Sequence, residues 1–405
     1  MANTLKFGSG QWATKVGSTL AYNDEGGNFK PLPFNFTRST SATRVNKDGL
    51  IEVVTNNKPR IDFLNDSNGA LLLEPQRTNL LLRSEEFDNA SWVKLGQGTG
   101  SVPIVTPNYA ISPDGTQNAS RLQCDLNGGN TTSDRSWLYQ SITDVVVEST
   151  FSLYVKNISS QTIIFTLNNG SSGTVSVTAD SQWHRLYSVK TGGTQPRIGL
   201  IGGSGASDTA DLLIYGAQLE AGSYATSYIP TQGATATRVA EVCNDAGNSQ
   251  IFNDSEGVLF AEVSTFADNT YKRISLNNGS YVNSVVFDFI DDNNLYGKIF
   301  VGGSQIATIL ASGLNIENNN KLAFKYKQND FALWVNGVQV GVDTSGSTPS
   351  GLNTLSLDLA GNQDFYGNTK QIQYFNTALN DSDLETLTSW DSFSDMATSQ
   401  LYTIE

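Results

Sequence analysis

The segment KLAFKYKQNDFALWVNGVQVGV, residues 321–342, restricts the fold more tightly than any other part of the chain. Asn336-Gly337 sits between two runs rich in β-branched and aromatic residues. Asn-Gly supplies the positive φ angles that a two-residue type I′ turn demands, so the spacing predicts a hairpin. A second turn at Lys327–Asp330 extends it to a three-stranded meander. The same grammar recurs along the sequence, with short apolar runs separated by Gly, Asn, Ser and Thr. With 37 glycines and only 16% charged residues, the composition is that of an all-β protein with many turns. At 405 residues the chain exceeds one ordinary core. The expected architecture is all-β, with two antiparallel β-sandwich (jelly-roll) domains in tandem behind a small N-terminal anchor segment.

Residues 1–36 carry the apolar anchors Phe7, Trp12, Leu20, Tyr22, Phe29, Leu32 and Phe34. So short a piece cannot bury those rings alone, and it must pack on the next domain or on another protein. Residues 37–76 read as a connecting β module. Residues 77–240 read as the first sandwich, with strands expected at Ser136–Ser141, Phe151–Val155, Thr162–Leu167, Thr174–Val177, Trp183–Val189, Arg197–Leu200 and Asp211–Leu219. Residues 245–395 read as the second, closed by a strand over Lys370–Phe375 and a short helix for which Ser382 and Glu385 fit a capping box. There is also an internal echo: Ser41-Ala42-Thr43-Arg44-Val45 recurs as Thr235-Ala236-Thr237-Arg238-Val239. The two copies bracket the first sandwich and are expected to mark a domain junction.

Several kinds of chemistry lack their residues. A net charge of −14 repels a polyanion, so nucleic acid is not an expected partner. No apolar run approaches membrane-spanning length, and the N-terminus lacks the pattern of a secretory signal. Cys124 and Cys243, far apart in sequence, are expected as buried free thiols. His184 is the only histidine, which removes multi-histidine metal sites, and Gln-Trp-His-Arg-Leu reads as the start of a strand. Two carboxylates suffice for glycoside hydrolysis, but the Glu85-Glu86 and Asp291-Asp292 doublets fall in predicted turns and read as solvated. Asp291, Asp292 and Asn294 form an oxygen-rich loop without EF-hand spacing. No catalytic residue, metal or cofactor is therefore expected, and the chain reads as a non-enzyme.

Two segments resemble a known family. FTRSTSATRVNKDGLIEVVTNNKPRIDFLNDSNGALLLEPQRTNLLLRSEEFDNASW (36–92) and YGAQLEAGSYATSYIPTQGATATRV (215–239) resemble modules of bacteriophage tail- and fibre-type virion proteins with carbohydrate-binding-module-like jelly rolls. Trp334-Val335-Asn336-Gly337 and Tyr374-Phe375-Asn376-Thr377-Ala378-Leu379 resemble the concanavalin-A-like, laminin-G-like lectin fold. The resemblance implies a virion protein, made in a bacterial cytoplasm, that attaches a particle to host-surface glycan. Other virion proteins and a homo-oligomer, usually a trimer in fibres, would be its partners. A capsid head fibre or decoration protein is the alternative, and a glycan depolymerase is a third. Sugars are held by flat aromatic faces beside amides and carboxylates. The candidates for that role are Trp92, Tyr109, Trp137 and Tyr139 in the first sandwich, and Tyr296 and Tyr366, with Tyr271 and Tyr281, in the second. Phe7, Trp12, Tyr22 and Phe34 are the candidates for docking on the particle.

Overall fold

The computed structural model describes residues 4–142, 145–169, 174–178 and 180–404. The chain is nearly all antiparallel strand, and it falls into two compact units. One comprises Met1–Ser41, Val54–Pro75 and Ala240–Glu405; the other comprises Ala42–Val53 and Gln76–Val239. This division differs from the sequence-based one. Residues 1–36 are no separate segment, and the stretch 37–76 is shared between the units. The reason is strand pairing: Leu5–Gly8 adds to Gly367–Phe375, with Leu5 opposite Tyr374 and Gly8 opposite Gln371. Along the same edge, Ala70–Leu73 pairs with the start of that late strand, and Glu256–Thr265 takes its other edge. The chain passes between units after Ser41 and after Val239, so both copies of the sequence echo fall at the crossings.

In the first unit, a large sheet runs in the order Val338–Asp343, Phe331–Val335, Asn320–Lys327, Glu256–Thr265, Gly367–Phe375, Leu5–Gly8, Tyr22–Asn23, Lys30–Pro31. It packs on a five-stranded sheet built from Ser304–Ser312, Asn294–Val301, Ser284–Phe289, Lys272–Asn277 and Thr354–Ser356. Alternation puts Leu259, Ala261, Leu322, Phe324, Ile372 and Tyr374 of one sheet against Ile274, Leu276, Val285, Phe287 and Ile299 of the other. The predicted hairpin is present, with Asn336 at φ 51° and Gly337 at φ 82°. On the outer face of the large sheet, helix Asp381–Thr388 covers Val258, Phe260, Ala323, Trp334 and Phe375 through Leu384. Its N-cap is Asn380, whose side chain accepts from the Asp383 N–H, and not the expected Ser382. An Asn one residue before the helix is in the right place to satisfy a free first-turn donor.

A buried charge cluster ties this unit together. Glu241 accepts from Arg38 Nη1 (2.6 Å) and Arg60 Nε (2.8 Å) and is also reached by Arg60 Nη2. Arg60 reaches Glu74 at 2.8 Å, and the Glu74 N–H donates to Glu241 (3.0 Å). Arg38 spends its remaining donors on the carbonyls of Thr40, Val54 and Thr55. Burial alone would lower the Arg60 guanidinium; the charges of Glu241 and Glu74 outweigh it and leave that group raised.

The second unit is a jelly roll of two five-stranded sheets. One runs Trp92–Gln97, Arg135–Gln140, Pro196–Ile201, Ile163–Asn169, Thr174–Val177. The other runs Ile104–Ala110, Ala119–Asp125, Thr209–Ala221, Val145–Asn157, Trp183–Gly193. Leu138, Phe151, Leu153, Phe165, Ile198, Leu212 and Leu219 form its core. Arg238 and Glu220 are buried here: Glu220 accepts from Gln218, from the Thr226 N–H and from the Thr226 hydroxyl, and Arg238 donates to the Ser227 hydroxyl. Arg44, its counterpart in the echo, is half-exposed and pairs with Glu52. Both cysteines are free and buried, and burial pushes the Cys124 thiol up to about 12.

Candidate functional site

The outer face of the large sheet in the first unit is only partly covered by helix. Where it is open, the pleat brings Tyr22, Lys6 and Gln373 into one row and Gly8, Gln371, Glu262 and Lys321 into the next. These rows lie in a groove of three adjoining hollows. The first, of about 440 Å³, is walled by Trp12, Leu20, Tyr22, Phe29 and Pro31. The second, of about 330 Å³, shares Gln11 and Tyr22 with it and adds Lys6, Ser9, Gln371 and Gln373. The third, of about 390 Å³, shares Ser9 and Gln371 with the second and runs past Asp66, Asn68, Glu262, Lys321, Lys370, Asp391 and Asp395.

The aromatic end is rigidly set. Trp12 stands edge-on to Phe7 (5.3 Å between centroids), and its indole N–H donates to the Asn68 carbonyl (2.8 Å). Tyr22 donates to Gln11 Oε1 (2.9 Å), and Phe29, 73% exposed, lies 5.7 Å from the Tyr22 ring. The polar end is an oriented relay. Gln373 Nε2 donates to Gln371 Oε1 (2.8 Å), and Gln371 Nε2 donates to Glu262 Oε2 (2.6 Å). Glu262 Oε1 accepts from Asn319 (2.7 Å), and Lys370 pairs with Asp66 at 2.8 Å. Held amides and carboxylates beside flat rings are what a polyhydroxylated ring needs, because the rings take its C–H faces and the amides its hydroxyls.

The residues singled out from sequence are scattered. Of the docking group, Phe7 and Phe34 are core residues 5.0 Å apart, Phe7 on the strand that pairs with Gly367–Phe375 and Phe34 on the strand that pairs with Ser18–Thr19 and Val242–Asn244; Trp12 and Tyr22 line the groove. Trp92 is buried, at 2% exposure, against Phe87, with its N–H on the Arg83 carbonyl, so it seals the sandwich and presents no surface. Tyr109 is exposed on an edge strand under Arg121, whose Cζ is 5.0 Å from the ring. Trp137 and Tyr139 are brought together on one outer face of the second unit. Tyr296 lies on the outer face of the smaller sheet of the first unit beneath Lys298, and Tyr271 stands near Arg273; both cations are tied to Asp288 (2.6 and 2.7 Å). Tyr281 is exposed. Tyr366 packs partly buried against the core, its hydroxyl on Asp364, so it is no free loop ring.

Sequence reasoning missed the polar half of the groove. One signal was there: Gln371 and Gln373 alternate with Ile372 and Tyr374, which marks the glutamines as one solvated row. It also misread Glu85 as solvated. Glu85 is partly buried and accepts from the Tyr228 hydroxyl (2.8 Å), while the Tyr215 hydroxyl lies within reach of both Glu85 (3.3 Å) and Asp114 (3.1 Å). Burial raises the Glu85 carboxyl. Asp114 is lowered, because hydrogen bonds from Thr116, Ser112 and Asn118 outweigh its own desolvation. Nearly every oxygen of the pair is already engaged: Asp114 Oδ1 takes Ser112 and Thr116, Oδ2 takes Asn118 and Tyr215, and Asn118 also reaches Glu85 Oε2. Asp291, the acid of the oxygen-rich loop, is likewise occupied, by both contacts from Asn294 Nδ2 and by the Asn293 N–H.

No family model matches the chain, and no curated protein sequence matches it. Among solved structures it is similar to the sialidase CBM40 of Ruminococcus gnavus bound to α2,3-sialyllactose, at 15% identity over 36% of this chain and 94% of that one, with a TM-score of 0.32. It is also similar to domains LG4-5 of the mouse laminin α1 chain, at 12% identity over 71% and 94%, with a TM-score of 0.25. A third similarity is to a carbohydrate-binding protein, so described, of Bacteroides ovatus, at 12% identity over 71% and 80%, with a TM-score of 0.28.

Proposed function

We propose that this chain is a non-catalytic glycan-binding protein, carried on a bacteriophage particle as a tail fibre or appendage and used to hold host-surface saccharide. The observation that carries the binding part is the groove of the first unit, where the Trp12–Tyr22–Phe29 wall meets the Gln373–Gln371–Glu262 relay. The virion part is supported by the sequence resemblance of residues 36–92 and 215–239. Modest single-site affinity would be raised by many copies on one particle. The close carboxylate pair Glu85–Asp114 does not favour hydrolysis, because its lone pairs already hold Tyr215, Tyr228, Ser112, Thr116 and Asn118.

The test is a screen of the full chain against immobilised bacterial surface glycans, with calorimetry on each hit. Phe29→Ala, which removes an exposed ring, and Gln371→Ala are each expected to weaken binding about 10-fold, on the order of 1–2 kcal/mol, without changing the fold. No hit, or hits indifferent to both substitutions, would reject the groove. New reducing ends appearing during incubation would reject the non-catalytic reading. Absence of the chain from purified particles would reject the virion placement.

A further inference from the structure

The outer face of one sheet in the second unit is unlike the groove. Its register sets three rows side by side: Val93, Tyr139, Arg197; then Leu95, Trp137, Gly199, Thr166; then Gln97, Arg135, Ile201. Trp137 is 4% exposed yet belongs to no core cluster. Its ring is contacted by two guanidinium groups, with Arg197 Cζ at 4.5 Å and Arg135 Cζ at 4.9 Å from the centroid. Gly199, opposite Trp137, keeps the site low: a Cβ there would lie 2.7 Å from the Trp137 Cβ.

Neither arginine has a carboxylate within ion-pair distance among the described residues. Arg135 donates to the Thr132 carbonyl (2.8 Å) and Gln97 Oε1 (3.2 Å), both neutral. Arg197 has no hydrogen-bond or ion-pair partner among them, and its buried Nε–H is unpartnered. Burial, then Arg135, pulls the Arg197 guanidinium below its ordinary value. Two more buried polar groups on this face lack partners: the Trp137 indole N–H and the hydroxyl of fully buried Thr166. Elsewhere in this unit Arg121 pairs with Asp211 and Arg83 with Glu86, while Arg185, alone over the Tyr154 ring, donates to the Ser152 hydroxyl. In a chain of net charge −14, two adjacent cations without an acid are an exception. The cation–π contact offsets part of the desolvation, but it does not supply the unmet negative charge.

We infer that this face is a binding site for a carboxylate-bearing saccharide, its carboxylate taken by Arg135 and Arg197 and its ring set against Tyr139. Arginine's planar fork fits a carboxylate in two parallel hydrogen bonds. Tyr139, half-buried beside Arg197, provides the apolar surface. The saccharide part rests on the glycan reading proposed above; the anionic part does not.

Calorimetry of the full chain with tetragalacturonate, its fully methyl-esterified form and sodium acetate separates these claims. The acid oligomer is expected to bind, with Arg197→Met and Arg135→Gln each weakening it about 10-fold or more. The ester, which keeps the sugar and loses the charge, is expected to bind about 10-fold more weakly or worse. Equal binding of acid and ester, or indifference to both arginine substitutions, overturns the proposal. Acetate binding as tightly as the oligomer overturns its saccharide part. Failure of neutral glycans to bind the groove, with the acid still held here, would reject the groove reading alone. Arg135→Gln changes a half-exposed side chain, so it reports on the site even if Arg197→Met disturbs the sheet.

Discussion

One arginine cluster in each unit sets up the contrast. In the first, Arg38 and Arg60 are fully buried, and every charge is answered: Glu241 and Glu74 take both guanidinium groups, and backbone carbonyls take what is left. In the second, Arg197 and Arg135 lie in the partly open face around Trp137, answered only by an aromatic ring and neutral oxygens. The first arrangement is closed, since adding a ligand could only break it. The second is open in the electrostatic sense, with donors held in place and no anionic acceptor among the described residues. Charge burial therefore does not by itself identify a site. The informative quantity is how much of the hydrogen-bonding capacity the protein leaves unmet.

The comparison predicts its largest effect at Glu241. Removing this carboxylate strands two buried guanidinium groups, so Glu241→Ala is expected to cost the first unit about 3–5 kcal/mol. Chemical denaturation, with hydrogen exchange to show that the loss lies in 240–405 and the strands paired to it, measures this. A loss below about 1 kcal/mol, the range of an exposed pair, would mean that the cluster is not the lock its burial implies.

Carboxylates repeat the contrast. Glu241 has two arginines, whereas Asp358 is buried and has no cation partner among the described residues; burial first, and Asp364 second, push its carboxyl up to about 6. A raised carboxyl means that the fold prefers the protonated form. Its contribution is therefore fully present below the ordinary value of 3.8 and is lost as pH rises through about 6. At pH 8 the ionised group costs at most about 3 kcal/mol, which Asp358→Asn should recover. The gain in Tm should shrink on acidification and vanish near pH 4. A gain independent of pH would assign the effect to packing instead of charge.

How far the sequence foretold this depended on whether the interaction was local. The Asn336-Gly337 hairpin was legible because its turn chemistry lies in two adjacent residues. The jelly-roll strands of the second unit were legible from alternation, although Trp92–Gln97, Ile104–Ala110 and Ala119–Asp125 escaped it, their polar and Gly/Pro positions masking the pattern. The arginine-bearing segments around Arg38, Arg60 and Glu74 stood out by resemblance, but nothing local says that they meet Glu241, which lies 203 residues from Arg38. The groove was illegible for the same reason: Trp12 and Tyr22 reach Gln371 and Gln373 only because Leu5–Gly8 pairs with Gly367–Phe375. Trp137 and Tyr139 were named from sequence as sugar-binding candidates; they share one face, but Trp137 is buried there. Their arginine Arg197 comes from another strand and was not foreseen.

The site around Trp137 depends on Gly199. At this residue φ is 150°, and a Cβ would meet the Ser136 carbonyl oxygen at 2.4 Å and Trp137 Cα at 2.5 Å, both backbone atoms that cannot swing aside. Gly199→Ala must therefore separate two paired strands, and a loss of about 1–3 kcal/mol from the second unit is expected. Thermal unfolding would check it, and an unchanged Tm would mean that the Trp137 ring does not need that closeness.

The smallest effect is the sharpest test. Arg60→Met and Arg197→Met make the same chemical change in the two settings. At Arg60 the change leaves Glu241 and Glu74 buried with one cation fewer, and a loss of about 3 kcal/mol or more is expected. At Arg197 it removes a half-buried cation with no ion-pair partner among the described residues, while the thioether can still lie against the indole. Losing a cation–π contact of about 0.5–1 kcal/mol is offset by no longer desolvating a charge, so the net change should stay within about 0.5 kcal/mol. Denaturant midpoints of the two variants, measured side by side, decide it. If Arg197→Met costs as much as Arg60→Met, then Arg197 is a clamp that fixes Trp137 in the sheet, and its missing acceptor is not a vacancy for a ligand. If the two differ as expected, the fold does not need Arg197, and its guanidinium beside Arg135 is left for the anionic ligand inferred above.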